Sequence, residues 1–274
     1  MSKKLKMVTS TRQKAWYDHH RASILSGRYE PYWRCQDVRS SGIKVKVPHF
    51  KDKYRVIHLL SMNEMFMYQQ IAWNKTIHEV YEQYALPLSE TTAIAKEIGV
   101  QHPVYIDSKT PMVQTLDFYC LDKFGKKLGY AVKQESWLKD YRTHEKLAIQ
   151  EGWCAINEVE FEIVTSNELK TISSQNLEFL FYHRKLERLL FGVFKTWILN
   201  FFGAMTNDRF DRVAHIIDRS AEITGIPFQR AAHFFYHAIW VGLIDFDWHQ
   251  PLALELCSSE LEIVPNDNII KKLR

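Results

Sequence analysis

Three residues of this chain have types and spacing suited to chemistry on a phosphodiester: Glu64, Asp117 and Lys133. Asp117 and Lys133 lie equally far from Gly125, in two segments that alternate in polarity and read as strands joined by a turn. A hairpin turning about Gly125 sets the two side chains opposite each other on one face, with Cβ atoms roughly 5 Å apart. Leu116 and Val132 then occupy the other face. Alone, such a pair is a cross-strand ion pair worth under about 1 kcal/mol. Glu64 stands in Ser61-Met62-Asn63-Glu64, the capping-box spacing in which a Glu reaches back to the N–H of the cap residue. Capping explains a Glu there without catalysis, yet a helix N-terminus also holds a carboxylate in a fixed place. An acid on a helix, an acid on a strand and a lysine on the next strand suit metal-dependent phosphodiester cleavage. Carboxylate oxygens hold hard Mg²⁺, the metal polarises the phosphate and activates water, and lysine stabilises developing negative charge.

The elements that must position these residues are legible in the pattern. Residues 12–26 are helix-compatible, with Gly27 as a stop. Ile43, Val45 and Val47 alternate with Lys44 and Lys46, and residues 54–60 form a second strand, so the two make a hairpin. Ser61 opens a helix to about Trp73; a strand covers residues 76–84, and Ser89 caps a helix over 91–98 closed by Gly99. Strands over 113–121 and 128–133, a helix over 139–150 and a strand over 160–164 complete an α/β domain. Residues 165–175 read as a polar linker, placing the boundary between 167 and 168. Beyond it come long amphipathic helices, with a helix-turn-helix over 209–241. Two short strands over 243–248 and 252–257 follow, the winged-helix order.

Charge separates the halves. Residues 1–60 carry a net +10 and the remainder a net −6, within an overall +4. A basic head attracts polyanions, and Trp16, Tyr17, Tyr29, Tyr32 and Trp33 interleave it with aromatic faces that stack on bases or anchor the segment. The expected DNA-facing set is Arg39, Ser40, Lys44, Lys46 and Arg55. Several classes are excluded. No GxSxG elbow supports serine hydrolysis, and no GxxxxGKS/T loop supports nucleotide hydrolysis. His233 and His237 have a metal-compatible spacing, but Phe234 follows His233, so the HExxH pattern is absent and core or partner-facing roles fit better. The four cysteines show no CxxC spacing, as in a protein of a reducing compartment. The apolar stretch 189–205 is broken by Lys195 and Asn200 and falls short of the roughly 20 residues a bilayer needs. No membrane partner is therefore expected, and the amino-terminal residues lack an apolar export core.

Residues 39–42 (Arg-Ser-Ser-Gly), 54–61 with Glu64, Glu79-Val80-Tyr81-Glu82-Gln83, His102-Pro103-Val104, Asp117-Phe118 and Val132-Lys133 resemble the TnsA endonuclease subunits of heteromeric, Tn-seven-like bacterial transposases. The likeness covers most of residues 30–165; the remainder agrees in architecture. It implies a restriction-endonuclease-like α/β domain over 1–167 and a mostly helical, winged-helix-type domain over 168–274. It implies Glu64, Asp117 and Lys133 as catalytic residues. Mg²⁺, with Mn²⁺ as a substitute, would be held by Glu64, Asp117 and the Val132 carbonyl. The implied reaction is hydrolysis at the 5′ ends of transposon-end DNA, in the bacterial cytoplasm. A TnsB-type DDE transposase would cut and join the 3′ ends, and the C-terminal domain would engage a TnsC-type AAA ATPase. One departure stands out: nucleases of this fold usually carry Glu or Gln two residues before the lysine, where this chain has Ala131. Glu135, if the chain bends, and Glu145 on the following helix are candidate replacements. The alternatives are a DNA-binding or regulatory subunit that bridges transposase and ATPase without cutting, and a stand-alone restriction-type nuclease.

Overall fold

The computed structural model describes residues 8–38 and 42–266. The chain forms two compact units, Met1–Lys170 and Thr171–Arg274. In the first, helix α1 (Ser10–Leu25) starts where the Thr9 side chain accepts the Arg12 N–H. Strands β1 (Val45–Pro48) and β2 (Val56–Leu59) pair as an antiparallel hairpin and bury Val47, Ile57 and Leu59. Helix α2 (Met62–Trp73) follows at once. The central sheet has the order β3 (Ile77–Ala85), β4 (Thr115–Asp122), β5 (Lys127–Lys133), β6 (Val159–Thr165). The first three strands are antiparallel, and β6 runs parallel to β5 through the crossover helix α4 (Tyr141–Ile156). A parallel neighbour needs such a connection.

Helix α3 (Leu88–Glu97) and α4 bury Ile94, Ala95, Ile149, Trp153 and Cys154 on one sheet face, against Leu86, Leu116 and Val159. Gly129 of β5 permits that approach, because a Cβ there would sit 3.1 Å from both Leu116 and Val159. On the other face Tyr68 of α2 stacks on Phe118 of β4. Helix α3 begins after Pro87 and not at Ser89, a proline being preorganised for a helix start. The 165–175 segment is structured: α5 (Ser166–Leu169) has a Thr165/Glu168 capping box, and α6 (Ile172–Phe181) is capped by Thr171.

The second unit packs α6 with α7 (Phe191–Asn207), α8 (Val213–Thr224) and α9 (Phe228–Trp240). The stretch Arg188–Asn207 is long and apolar enough to cross a bilayer by length and composition. Its stripe Phe194, Trp197, Ile198, Phe201 and Met205 is buried, and Phe194, Trp197 and Phe201 meet Phe234 and Phe235 of α9. Its other side exposes Leu189, Phe191, Val193 and Leu199. Two-residue strands β7 (Ile244–Asp245) and β8 (Val264–Pro265) pair after α9. The second strand is thus not at 252–257. That segment is instead used to hold the start of α8: Leu254 and Leu256 carbonyls accept the Ala214 and Val213 N–H groups.

Candidate active site

Glu64 enters the site from the first turn of α2. Its backbone N–H donates to Ser61 Oγ at 3.1 Å, and the Ser61 hydroxyl donates back to Glu64 Oε1 at 3.2 Å. Its other oxygen takes the Leu60 N–H at 2.9 Å, one residue earlier than the cap N–H expected from sequence. These bonds fix a carboxylate that is 6 % exposed. Burial raises its pKa well above the usual carboxylate range, and the nearby charge of Asp117 adds to the rise.

Asp117 and Lys133 meet, though not as directly opposed residues. The β4–β5 ladder pairs Phe118 with Tyr130 and Leu121 with Lys127, two residues off the register that Gly125 as pivot would give. Gly125, at φ +85°, is the left-handed residue that follows the tight turn begun at Asp122, so the pivot lies one residue before it. The ladder stops at Phe118–Tyr130, while β5 stays paired with β6 as far as Lys133. Where β5 leaves β4, the Asp117 side chain fills the gap. Its Oδ2 accepts the Val132 N–H at 2.7 Å and the Lys133 ammonium at 2.8 Å. Lys133 also donates to the Val132 carbonyl at 3.2 Å. Asn63, beside Glu64, donates to Gln134 Oε1 at 3.2 Å, so the start of α2 is tied to the end of β5.

Gln83 is the member of this cluster that the sequence reading passed over. Its amide donates to Glu64 Oε2 at 3.3 Å and to Asp117 Oδ1 at 3.5 Å. Its φ is +50° in the middle of β3, a conformation costing a non-glycine residue on the order of 1 kcal/mol. The consequence is a break in alternation. Tyr81 and Tyr84, an odd number of residues apart, both meet Tyr119, while Glu82 and Gln83 are both buried. Polarity alone gives no signal, since β3 has two adjacent polar pairs, His78–Glu79 and Glu82–Gln83, and only the second is buried.

The candidate replacements for the missing carboxylate do not join the cluster. Glu145 is bound to Arg142 and accepts the Gln101 N–H, and the Arg142 hydrogen bond lowers its pKa. Glu135 starts a 3₁₀ turn, Glu135–Lys139, whose first N–H donates to Ser166. Among the described residues no group of three His, Cys, Asp or Glu is placed to hold a metal ion, in keeping with Ala131 being fully buried in β5. Of the expected DNA-facing residues, Arg39 and Ser40 lie outside the described residues. Arg55 lines the same groove as Lys46, and its guanidinium is also engaged internally, in an ion pair with the fully buried Glu82 and in a hydrogen bond to the Val80 carbonyl at 2.6 Å. Lys44 is likewise engaged, donating to the Cys35 and Val38 carbonyls at 2.6 and 2.8 Å. Lys46 is exposed on a groove of about 980 Å³ whose walls also carry Arg28, Arg34 and Lys51.

His233 and His237 serve the helical unit. His233 Nδ1 lies 2.9 Å from His183 Nδ1, and His237 Nδ1 donates to the His183 carbonyl at 3.1 Å. Burial, with His233 and His237 alongside, pulls the His183 pKa down to about 4. A base depressed in the folded state binds fewer protons than the unfolded chain between that value and about 6.5. The helical unit is therefore expected to lose stability as pH falls from about 6.5 to 4. Amide protection factors over residues 172–240, taken relative to the intrinsic exchange rate at each pH, should fall in that window, less so in His183→Gln; identical pH dependence in both would contradict it.

Residues 74–166 match the family model described as TnsA-like endonuclease N terminal. The Transposon Tn7 transposition protein TnsA of Escherichia coli is 30 % identical over 155 residues, 56 % of this chain and 56 % of that protein. The chain thus matches about half the length of that relative. The mixed four-stranded sheet, matched over residues 74–166 by a TnsA-like endonuclease model, fits the restriction-endonuclease-like fold class. Residues 74–166 are thus similar to TnsA-like endonuclease N-terminal domains.

Proposed function

We propose that this chain is the DNA endonuclease subunit of a heteromeric transposase, hydrolysing the 5′ ends of the transposon during cut-and-paste movement. The observation that carries the reading is the convergence of Glu64 on the Asp117–Lys133 pair, bridged by Gln83. Magnesium fits the residues present. The charge of Asp117 acts on the buried Glu64, the lysine bonds Asp117 and the Val132 carbonyl but not Glu64, and every donor is a hard oxygen. Glu64, Asp117 and the Val132 carbonyl would hold the ion, with Mn²⁺ able to replace it. When bound, Mg²⁺ supplies electrostatic polarisation of the scissile phosphate.

The chain's own groups do the rest. Leu60 N–H and Ser61 hold the Glu64 carboxylate at a fixed angle, and Val132 N–H does the same for Asp117. Lys133 keeps its ammonium between Asp117 and the Val132 carbonyl, beside the position of an attacking water, and stabilises negative charge as it develops. The groove around Lys46, which carries Arg28, Arg34, Lys46, Lys51 and Arg55 against Glu30, Asp52 and Glu79, favours a DNA substrate by its excess of cations.

The helical unit reads as winged-helix-type, from the order α8, α9, β7, β8. Its second helix buries most of its length and carries Arg230 as its only Lys or Arg, a poor major-groove reader. With the apolar outer side of α7, this favours a protein partner, a TnsC-type AAA ATPase, while a TnsB-type DDE transposase processes the 3′ ends.

The test is strand-resolved cleavage of transposon-end DNA with the partner transposase present. Nicking at the 5′ ends should require Mg²⁺ or Mn²⁺ and vanish on chelation, returning when metal is restored. Ala131 makes the regulatory alternative specific: normal complex assembly with no 5′ nicking in any metal would establish it and overturn the nuclease reading. Cleavage of naked DNA at a short site without the transposase would point to a stand-alone restriction enzyme.

A further inference from the structure

Gln83 is held from three sides. Its backbone carbonyl accepts the Tyr32 N–H at 3.2 Å, and its Oε1 accepts the Thr115 hydroxyl at 3.3 Å. With the carbonyl end of the amide engaged by Thr115, the NH₂ end is turned toward Glu64 and Asp117. The residue faces Asp117 across the ladder, in the position between the Glu82–Phe118 and Tyr84–Leu116 pairs. In a regular strand, residue 83 would project to the face opposite Glu82. Its φ of +50° returns it to the same side, where it is 2 % exposed. Strain in a strand centre persists only when the surroundings over-determine it, and it clusters at functional sites.

We propose that Gln83 is a positioning residue of the nuclease centre, its amide bridging Glu64 and Asp117 and setting their separation for a divalent cation. The proposal rests on the reading of those two carboxylates as metal ligands. An amide suits the role because its NH₂ offers two donors and no charge. A lysine in its place would compete with the cation, and a glutamate would add a third repelling carboxylate. The bridge also stands in for part of what Ala131 omits. With one ligand fewer on β5, the orientation of the remaining two carries more of the affinity.

Three variants of the full chain test this: Gln83→Gly, Gln83→Ala and Thr115→Val. Mn²⁺ affinity is measured by calorimetry without DNA, and kcat and KM for 5′ nicking are measured with the partner transposase. Partners that orient metal ligands typically contribute about 10-fold or more in affinity. Gln83→Gly and Gln83→Ala should each weaken Mn²⁺ binding by that factor and lower kcat, leaving KM for DNA unchanged. Thr115→Val should shift both in the same direction by less. Glycine takes a φ of +50° without strain, so Gln83→Gly should melt no lower than Gln83→Ala, and its loss of metal affinity cannot be assigned to unfolding. Wild-type Mn²⁺ affinity and kcat in Gln83→Gly would overturn the proposal. Absence of Mn²⁺ binding in the wild-type chain would overturn the metal-ligand reading beneath it as well.

Discussion

Asp117→Ala should reduce 5′ nicking by at least about 1,000-fold, equivalent to roughly 4 kcal/mol of transition-state stabilisation. The single side chain takes the Val132 N–H and the Lys133 ammonium on one oxygen and the Gln83 amide on the other. Removing it takes away a proposed metal ligand and releases the lysine from its fixed place. Stability should fall by about 1–3 kcal/mol, the usual cost of leaving a partly buried donor without its acceptor. Part of that loss is offset at Glu64, whose pKa is raised by burial first and by the Asp117 charge second. Asp117→Asn separates the two effects, because an amide oxygen can still accept the Val132 N–H while the charge is gone. It should be as inactive as Asp117→Ala and melt closer to wild type. Nicking within 10-fold of wild type in Asp117→Asn would show that charge at this position is not required.

Glu82→Ala should destabilise the first unit by about 3–5 kcal/mol, the usual consequence of stranding one member of a buried ion pair. Glu82 is fully buried; burial raises its pKa, and Arg55 is the main opposing influence. Its carboxylate also accepts the His58 N–H at 3.2 Å, tying β2 to β3. The Arg55 guanidinium lies over Tyr29, 4.5 Å from the ring centroid, and is only 14 % exposed. The double change Arg55→Met with Glu82→Leu removes both charges and should recover most of the loss. Urea unfolding of the two single variants and the double one measures the coupling. A Glu82→Ala penalty below about 1 kcal/mol would mean that the pair is solvated. Because Glu82 precedes Gln83, the ion pair also fixes the stretch of β3 that presents the amide to the active site.

Much of this site could be read before any coordinates. The Ser61–Glu64 spacing fixed a carboxylate at a helix start, and the turn near Gly125 brought an acid and a lysine together. The register was read two residues out because a glycine marks the left-handed residue of a turn, not its centre. Arg55 and Lys44 were assigned to DNA by charge and position. Composition cannot reveal that Arg55 meets a buried glutamate 27 residues later, or that Lys44 closes on main-chain carbonyls. Gln83 escaped notice because strand alternation assumes extended backbone throughout, and one left-handed residue reverses the face of everything after it. The wing strand was misplaced for a related reason: residues 252–257 have strand-like alternation but spend their carbonyls on the first turn of α8.

The central claim is that Glu64, Asp117 and the Val132 carbonyl form a single cation site. Crystals of the full chain soaked in Mn²⁺ and measured at the manganese absorption edge test it most directly. The account predicts an anomalous peak within coordination distance of all three groups, absent in Glu64→Ala crystals treated identically. Saturating Mn²⁺ that leaves this position empty, or an unchanged peak in Glu64→Ala, would contradict it.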